Sequence, residues 1–296
     1  MKIRFWGVRG SIPSPGPHTV RYGGNTTCLE VRSDAGDIII LDAGTGIFPL
    51  AQSLLRELPV TAHLFISHTH WDHIQGLPFF IPIFIPGNHL HIHGAFDPIT
   101  QKGIREVLGV QMEYSYFPVR EAELKARMEY VNLQERQAVQ AGSTTVMPVL
   151  MNHPVLNFGY RVECNGKAMF FTGDHEPPYN IYAPEDDFYE QYQELMAQKD
   201  ETILEVIRGV DVLVADSAYT PEEYVSGKVG WGHGTYDTSI DLARRAGVKT
   251  VVCTHHEPTR DDARLEAVFA EALERNPRQP GDPEILLARE GLEIEV

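Results

Sequence analysis

Three cysteines in 296 residues, Cys28, Cys164 and Cys253, are too few and too scattered for a disulfide framework, and no C-x-x-C pair occurs. Buried thiols in a reducing compartment are the expectation. No apolar run approaches the ~20 residues of a membrane span. The strongly apolar Phe79–Ile85 is short and carries Pro82, and the opening Met1–Gly7 has no signal-peptide core. A soluble cytoplasmic protein is therefore expected. Positive charge is scarce: 25 Lys and Arg stand against 41 Asp and Glu, a formal charge of -16. Broad binding to a nucleic-acid backbone needs the opposite balance. A small anionic substrate is still compatible, because bound metal ions reverse a local field. No repeat, charge block or low-complexity linker divides the chain, so residues 1–296 read as a single domain, and a 43% apolar fraction supplies its core.

β-rich runs bounded by Gly and Asp recur early, at Ile3–Val8, Thr26–Val31, Asp37–Leu41 and Ala62–Ile66, with a helix expected over Gly46–Leu58. A second group of strands is expected at Thr144–Leu150, Phe158–Glu163 and Ala168–Phe171. Helices follow over Pro184–Ile207, Thr235–Ala246 and Asp261–Arg275, with strands Val212–Ala215 and Thr250–Cys253 between or beside them. Ile285–Leu287 and Leu292–Val296 read as a final hairpin turning at Glu290-Gly291. Two successive sets of strands with helices predict the α/β (α+β) class: two mixed sheets face to face with helices outside. Asn88–Arg136 gives no clear pattern and reads as an inserted or covering element.

The chemistry is concentrated in Phe65-Ile66-Ser67-His68-Thr69-His70-Trp71-Asp72-His73. A strand ending in a polar turn would carry His68 and His70 on one face, because strand side chains repeat every second residue. Asp72 and His73 would sit on the following turn. Imidazole and carboxylate donors suit zinc first, with manganese or iron as alternatives. Later donors each lie just past an expected strand: His153 in Met151-Asn152-His153-Pro154, Asp174 in Thr172-Gly173-Asp174, and His255 or His256 after Val251–Thr254.

In this order and spacing the chain resembles the metallo-β-lactamase superfamily over almost its whole length. The resemblance implies the αββα sandwich with a two-metal site at one edge. One ion would be held by His68, His70 and His153, the other by Asp72, His73 and His255, with Asp174 bridging. His255 is preferred to His256 because the family's last ligand directly follows the strand end. Gly232-His233-Gly234-Thr235 resembles the His-Ser-Thr element of tRNase Z and of related cyclic phosphodiesterases. His233 would there meet the scissile phosphate as proton donor. Asp216, closing Asp211–Asp216, would orient that histidine, and Asp72, His233 and Asp216 form the expected catalytic set. The loops Gly7–Pro13 and Tyr22–Cys28 are similar to those of bacterial proteins grouped with phosphoribosyl cyclic phosphate phosphodiesterase.

The implied activity is hydrolysis of a cyclic nucleotide or cyclic sugar phosphate by a hydroxide shared between two divalent metals, with a small phosphodiester as partner. No membrane is expected as partner, and a homodimer is compatible. The glycine- and proline-rich arm that grips tRNA is not seen. Hydrolysis of a thioester, lactone or β-lactam on the same metals, or a non-catalytic metal sensor, are the alternatives. Redox use, as in flavodiiron proteins, is disfavoured because His70 stands where those proteins carry an acidic residue. His89, His91 and His93 read as the polar face of a half-buried strand, and Tyr114–Pro118 as core packing or an aromatic pocket wall.

Overall fold

A computed structural model describes residues 1–296. The first group of strands is β1 (Lys2–Gly7), β2 (Cys28–Arg32), β3 (Ile38–Leu41), β4 (Thr61–Phe65), β5 (His89–Ala95) and β6 (Arg127–Leu133). The second is β7 (Val139–Ala141), β8 (Thr144–Leu150), β9 (Phe158–Cys164), β10 (Lys167–Phe171), β11 (Val212–Asp216), β12 (Thr250–Thr254) and β13 (Glu284–Leu287), and the chain ends with β14 (Glu293–Glu295). They form two seven-stranded sheets, ordered β14-β1-β2-β3-β4-β5-β6 and β13-β12-β11-β10-β9-β8-β7. Each is antiparallel in one half and parallel in the other, the changeover falling at β3 and β10.

The inner faces meet over a core that includes Ile3, Phe5, Leu29, Ile39, Leu41 and Phe65 from one sheet and Tyr160, Val162, Met169, Phe171 and Val214 from the other. Ile38, Ile40, Ala62 and Leu64 point the other way, beneath helix α1 (Ile47–Leu54). Being covered on both faces is why these central strands read as continuous aliphatic runs rather than alternating ones. After the four-residue turn α2 (Trp71–Ile74) and the short α3 (Ile104–Val110), the helices belong to the second sheet. These are α4 (Tyr189–Ile207), α5 (Pro221–Val225), α6 (Tyr236–Ala246) and α7 (Asp262–Arg275). Thr235 and Asp261 cap α6 and α7 by accepting from Thr238 N and Arg264 N. No helix is long and apolar enough to cross a membrane, and the three cysteines are buried and unpaired.

Five expectations are corrected. The C-terminal pair is not a hairpin: β13 runs parallel to β12 in the second sheet, while β14 pairs antiparallel with β1 in the first. The turn between them crosses from one layer to the other, with Ala288 N donating to Cys253 O and Gly291 N to Phe5 O. Asn88–Arg136 is no insertion, since it supplies β5 and β6, the parallel edge of the first sheet. Tyr114 and Tyr116 are not core residues but lie 83% and 66% exposed; only Phe117 packs, edge-on to Phe79. Two helices are shorter than expected: α4 starts at Tyr189 because Asp186 first closes a turn on Ala183 N, and α1 stops at Leu54, ahead of the helix-incompatible Leu58-Pro59.

Candidate metal centre

The parallel halves of both sheets point their carboxyl ends to one rim, the usual place for a ligand site in such sheets. β4 leads to His68–His73, β10 to Asp174, β11 ends in Asp216, and β12 leads to His255. His153 arrives from the end of the antiparallel β8. His68 and His70 do not share a strand face, because β4 ends at Phe65 and both lie in the loop beyond it. What brings them together is the loop's reversal into α2, which carries Asp72 and His73.

Two overlapping groups result, each with its donor atoms within 4.8 Å of one another: His68, His70, His153 and Asp174, and Asp72, His73, Asp174 and His255. Asp174 belongs to both. Its Oδ2 lies 3.4 Å from His68 Nε2 and 4.0 Å from His153 Nε2, while its Oδ1 lies 3.1 Å from both His73 Nε2 and His255 Nε2. One carboxylate thus turns an oxygen towards each group.

On three of the rings, His153, His73 and His68, the other nitrogen is already engaged. His153 Nδ1 donates to Gly232 O at 2.9 Å, and His73 Nδ1 to Asp42 Oδ2 at 2.7 Å. Ser67 Oγ donates to the same carboxylate, leaving its lone pair for His68 Nδ1 at 3.1 Å. With Nδ1 protonated on His153, His73 and His68, the Nε2 of each of these three presents a lone pair to the centre. His68 Nε2, His73 Nε2 and Asp174 Oδ1 are buried without hydrogen-bond partners. Unpaired polar atoms cost ~1–3 kcal/mol each, a cost that cations placed among these donors would offset. These buried histidine–aspartate clusters therefore suit a pair of neighbouring metal ions.

The charge balance says the same. Burial opposes a proton on His255, yet Asp174, Asp216 and Asp72 raise it to about 9, and Asp174, Asp72 and Asp42 likewise raise His73 against its burial. Without cations, protons take their place. An ion must displace the His255 proton, which is held below about pH 9, so divalent-ion affinity should rise between pH 6 and 9, by up to about tenfold per unit for each proton released. Calorimetry in buffers of different ionisation enthalpy measures that release; flat affinity with no protons released contradicts it.

His233 and Asp216 lie at the rim of this cluster. His233 Nδ1 donates to Asp216 Oδ2 at 2.9 Å, and stands 3.8 Å from Asp174 Oδ2. Asp174, Asp216, His233 and His255 form a third grouping of the same compactness, but His233 Nδ1 is committed to Asp216. His256 is absent from all of these groups: its Nε2 donates to Ala288 O, and its imidazole is buried. His175 also turns away, its Nδ1 accepting from Asn152 N.

Several supporting residues were not anticipated. Asp42, fully buried at φ 65°, binds His73 and both the N–H and hydroxyl of Ser67, so it fixes the whole histidine loop. Its only sequence signal is a carboxylate directly after the buried run Ile38–Leu41. Glu176 accepts from Gly230 N, Gly232 N and Tyr224 Oη, which sets the loop that holds His153 and His233. The loop Gly7–Pro13 does reach the centre: Ser11 N donates to Asp72 Oδ2 at 2.7 Å. A Cβ on Gly10 would sit 2.3–2.9 Å from three ring atoms of His255, itself at φ 60°. Gly10→Ala should therefore push that ring aside, lowering metal content and costing ~1–3 kcal/mol by overpacking, as metal analysis and urea unfolding would report. Tyr22–Cys28 lies further back, with Gly23 O accepting from Arg9.

Residues 38–256 match the family model of the beta-lactamase superfamily domain. The chain belongs to the metallo-β-lactamase superfamily. Two curated relatives of this superfamily member are named Ribonuclease Z. The protein of Haloarcula marismortui is 25% identical over an alignment of 323 positions, covering 100% of this chain and 97% of its own. That of Staphylococcus epidermidis is 26% identical over 169 residues, 55% of this chain and 49% of its own, so the match spans about half of that relative. Among solved structures, the metallo-beta-lactamase fold protein YhfI from Bacillus subtilis superposes with TM-score 0.67 at 18% identity, covering 99% of both chains. That likeness shows the fold.

Proposed function

We propose that the protein is a metal-dependent hydrolase that cleaves a phosphodiester, with a cyclic nucleotide or cyclic sugar phosphate as substrate. The observation that carries the reading is the His233–Asp216 pair beside the metal cluster. A departing alkoxide needs a proton. His233 spends Nδ1 on Asp216, which leaves Nε2 as the atom that can meet it. Burial disfavours its charged form, but Asp216 and Asp174 outweigh that and raise its pKa, so the imidazole keeps a proton to give.

One ion would be held by His68, His70, His153 and Asp174 Oδ2, the other by Asp72, His73, His255 and Asp174 Oδ1. Zinc suits this nitrogen and oxygen set, with manganese or iron as alternatives. Bound there, two divalent cations would neutralise the phosphoryl oxygens and make water acidic enough to attack phosphorus. Asp42 and Ser67 hold two of the rings in the tautomer this requires, and Gly232 O a third.

The Ribonuclease Z names support phosphodiester chemistry, while the charge of -16 favours a small substrate over a polynucleotide. The rim offers what a nucleotide would use. Trp231 is 56% exposed, with Lys228 Nζ 3.6 Å from its ring centre, next to Tyr219, which stands edge-on to His233. The test is a panel on the zinc- or manganese-loaded protein: bis(p-nitrophenyl) phosphate, cyclic nucleotides, cyclic sugar phosphates, a thioester and a β-lactam. Turnover of the phosphodiesters is the expected outcome. Turnover confined to the thioester or β-lactam overturns the reading.

A further inference from the structure

We propose that the first sheet carries a second, separate site for a divalent transition-metal ion, held by His89, His91 and Glu129. The site follows from strand register. His89 and His91 stand two apart on β5, so they share a face. Glu129 on β6 is the register partner of His91. The carboxylate then faces both rings at once: its Oε1 is 3.1 Å from His89 Nε2, and its Oε2 is 3.1 Å from His91 Nδ1. All three donors lie within 4.8 Å of one another. Bonds of 2.0–2.2 Å in a tetrahedral shell separate neighbouring donors by about 3.4 Å, close to the spacing already present.

The surroundings favour an ion over bulk solvation. This face of β5 looks towards the space between the sheets, while Leu90 and Ile92 fill the opposite, helix-covered side. Behind the three donors the face continues in imidazole rather than aliphatic carbon. His91 stacks on His63 at 4.3 Å, and His63 Nδ1 meets His93 Nε2 at 3.1 Å. Burial lowers His63 to about 4 and His93 to about 3, so both are neutral at pH 7 and stack without repulsion. His89 and His91 keep 24% and 20% of their side-chain surface and Glu129 36%, which leaves a path for an ion and room for water as the fourth donor. Arg127 currently holds Glu129 Oε1 at 2.5 Å, so a cation already occupies the carboxylate, and an ion must displace it. The two imidazole nitrogens and one carboxylate point to zinc or copper(II). The site sits at the start of β5, the end of the parallel strands away from the hydrolytic centre, and does not depend on the phosphodiesterase reading.

Equilibrium dialysis of the full chain against Zn²⁺, with zinc counted per chain by atomic emission, tests the proposal. Wild type should bind one ion more than either His91→Ala or Glu129→Gln. Both variants should keep the ions of the hydrolytic centre, and Glu129→Gln should keep wild-type turnover. Arg127→Gln, which removes the competing cation, should tighten the extra ion by about tenfold, the lower end for a residue touching a ligand. Glu129→Gln preserves shape and decides the matter if His91→Ala does not fold. Equal zinc counts in wild type and Glu129→Gln overturn the proposal. Loss of zinc in an Asp174 variant alone bears on the hydrolytic centre and leaves this site's count unchanged.

Discussion

Asp174→Ala should leave a folded protein that has lost its metal and, with it, hydrolysis. The carboxylate is buried and supplies the only oxygens that face both donor groups, at 3.1 Å from His73 and His255 on one side and 3.4 Å from His68 on the other. Removing it takes a donor from each ion and the negative charge that lies between them. Lewis-acid stabilisation of a phosphoryl transition state is worth several kcal/mol, and each 1.36 kcal/mol is tenfold in rate. Turnover should therefore fall by about 10³-fold or more, with metal content at the hydrolytic centre falling in parallel. Asp174→Asn separates the two contributions, because it keeps one oxygen donor without the charge; it should retain no more than one of the two ions. A variant that kept both ions and a rate within a few fold of wild type would show that Asp174 does not hold the ions.

His233→Ala should behave in the opposite way, keeping its metal while turnover slows by ~10²–10⁴, the range of a lost general acid. KM should move little, since the lost interaction is with the leaving oxygen rather than with bound substrate. The size of the loss should depend on that oxygen. A nitrophenolate leaves without help, so bis(p-nitrophenyl) phosphate should suffer least, and an alkoxide of a ribose ring most. Asp216→Asn acts on the leaving group through His233, by the 2.9 Å contact with Nδ1, so its effect should be smaller, ~10–100-fold, with the same dependence on leaving group. If His233→Ala lost metal together with activity, the third grouping of Asp174, Asp216, His233 and His255 would describe a ligand set instead.

Most of the donors were legible because their positions obey a local rule. Each follows directly on a hydrophobic strand, and a strand that runs to the same rim delivers its next polar residue to the same place. His68, His153, Asp174 and His255 all satisfy it. Strand alternation does not explain how His70 joins them, because β4 ends at Phe65 and His68–His70 form a loop. Asp42 obeys the same rule yet gives no distinguishing signal: one carboxylate before a glycine turn is an ordinary strand end. Only the pairing of β3 with β4 places it under Ser67 and His73. Gly10 and Glu176 act through backbone proximity, a long-range property absent from any short window. The final two strands failed for a related reason. Ile285–Leu287 and Leu292–Val296 have the local pattern of a hairpin, but their partners, β12 and β1, were set by strand orders that no local pattern records.

His68, His70, Asp72 and His73 hang from the first sheet, whereas His153, Asp174 and His255 hang from the second. At that rim the layers are tied by the turn from β13 to β14 and by main-chain bonds such as Phe158 N to Ser67 O and His256 N to Val8 O, while the rest of the contact between the inner faces is made by side chains. Occupied ions would further rivet one layer to the other, their binding energy opposing any slip between the sheets. Chelation should be felt in the melting of the whole sandwich, not as a loosening of a single loop.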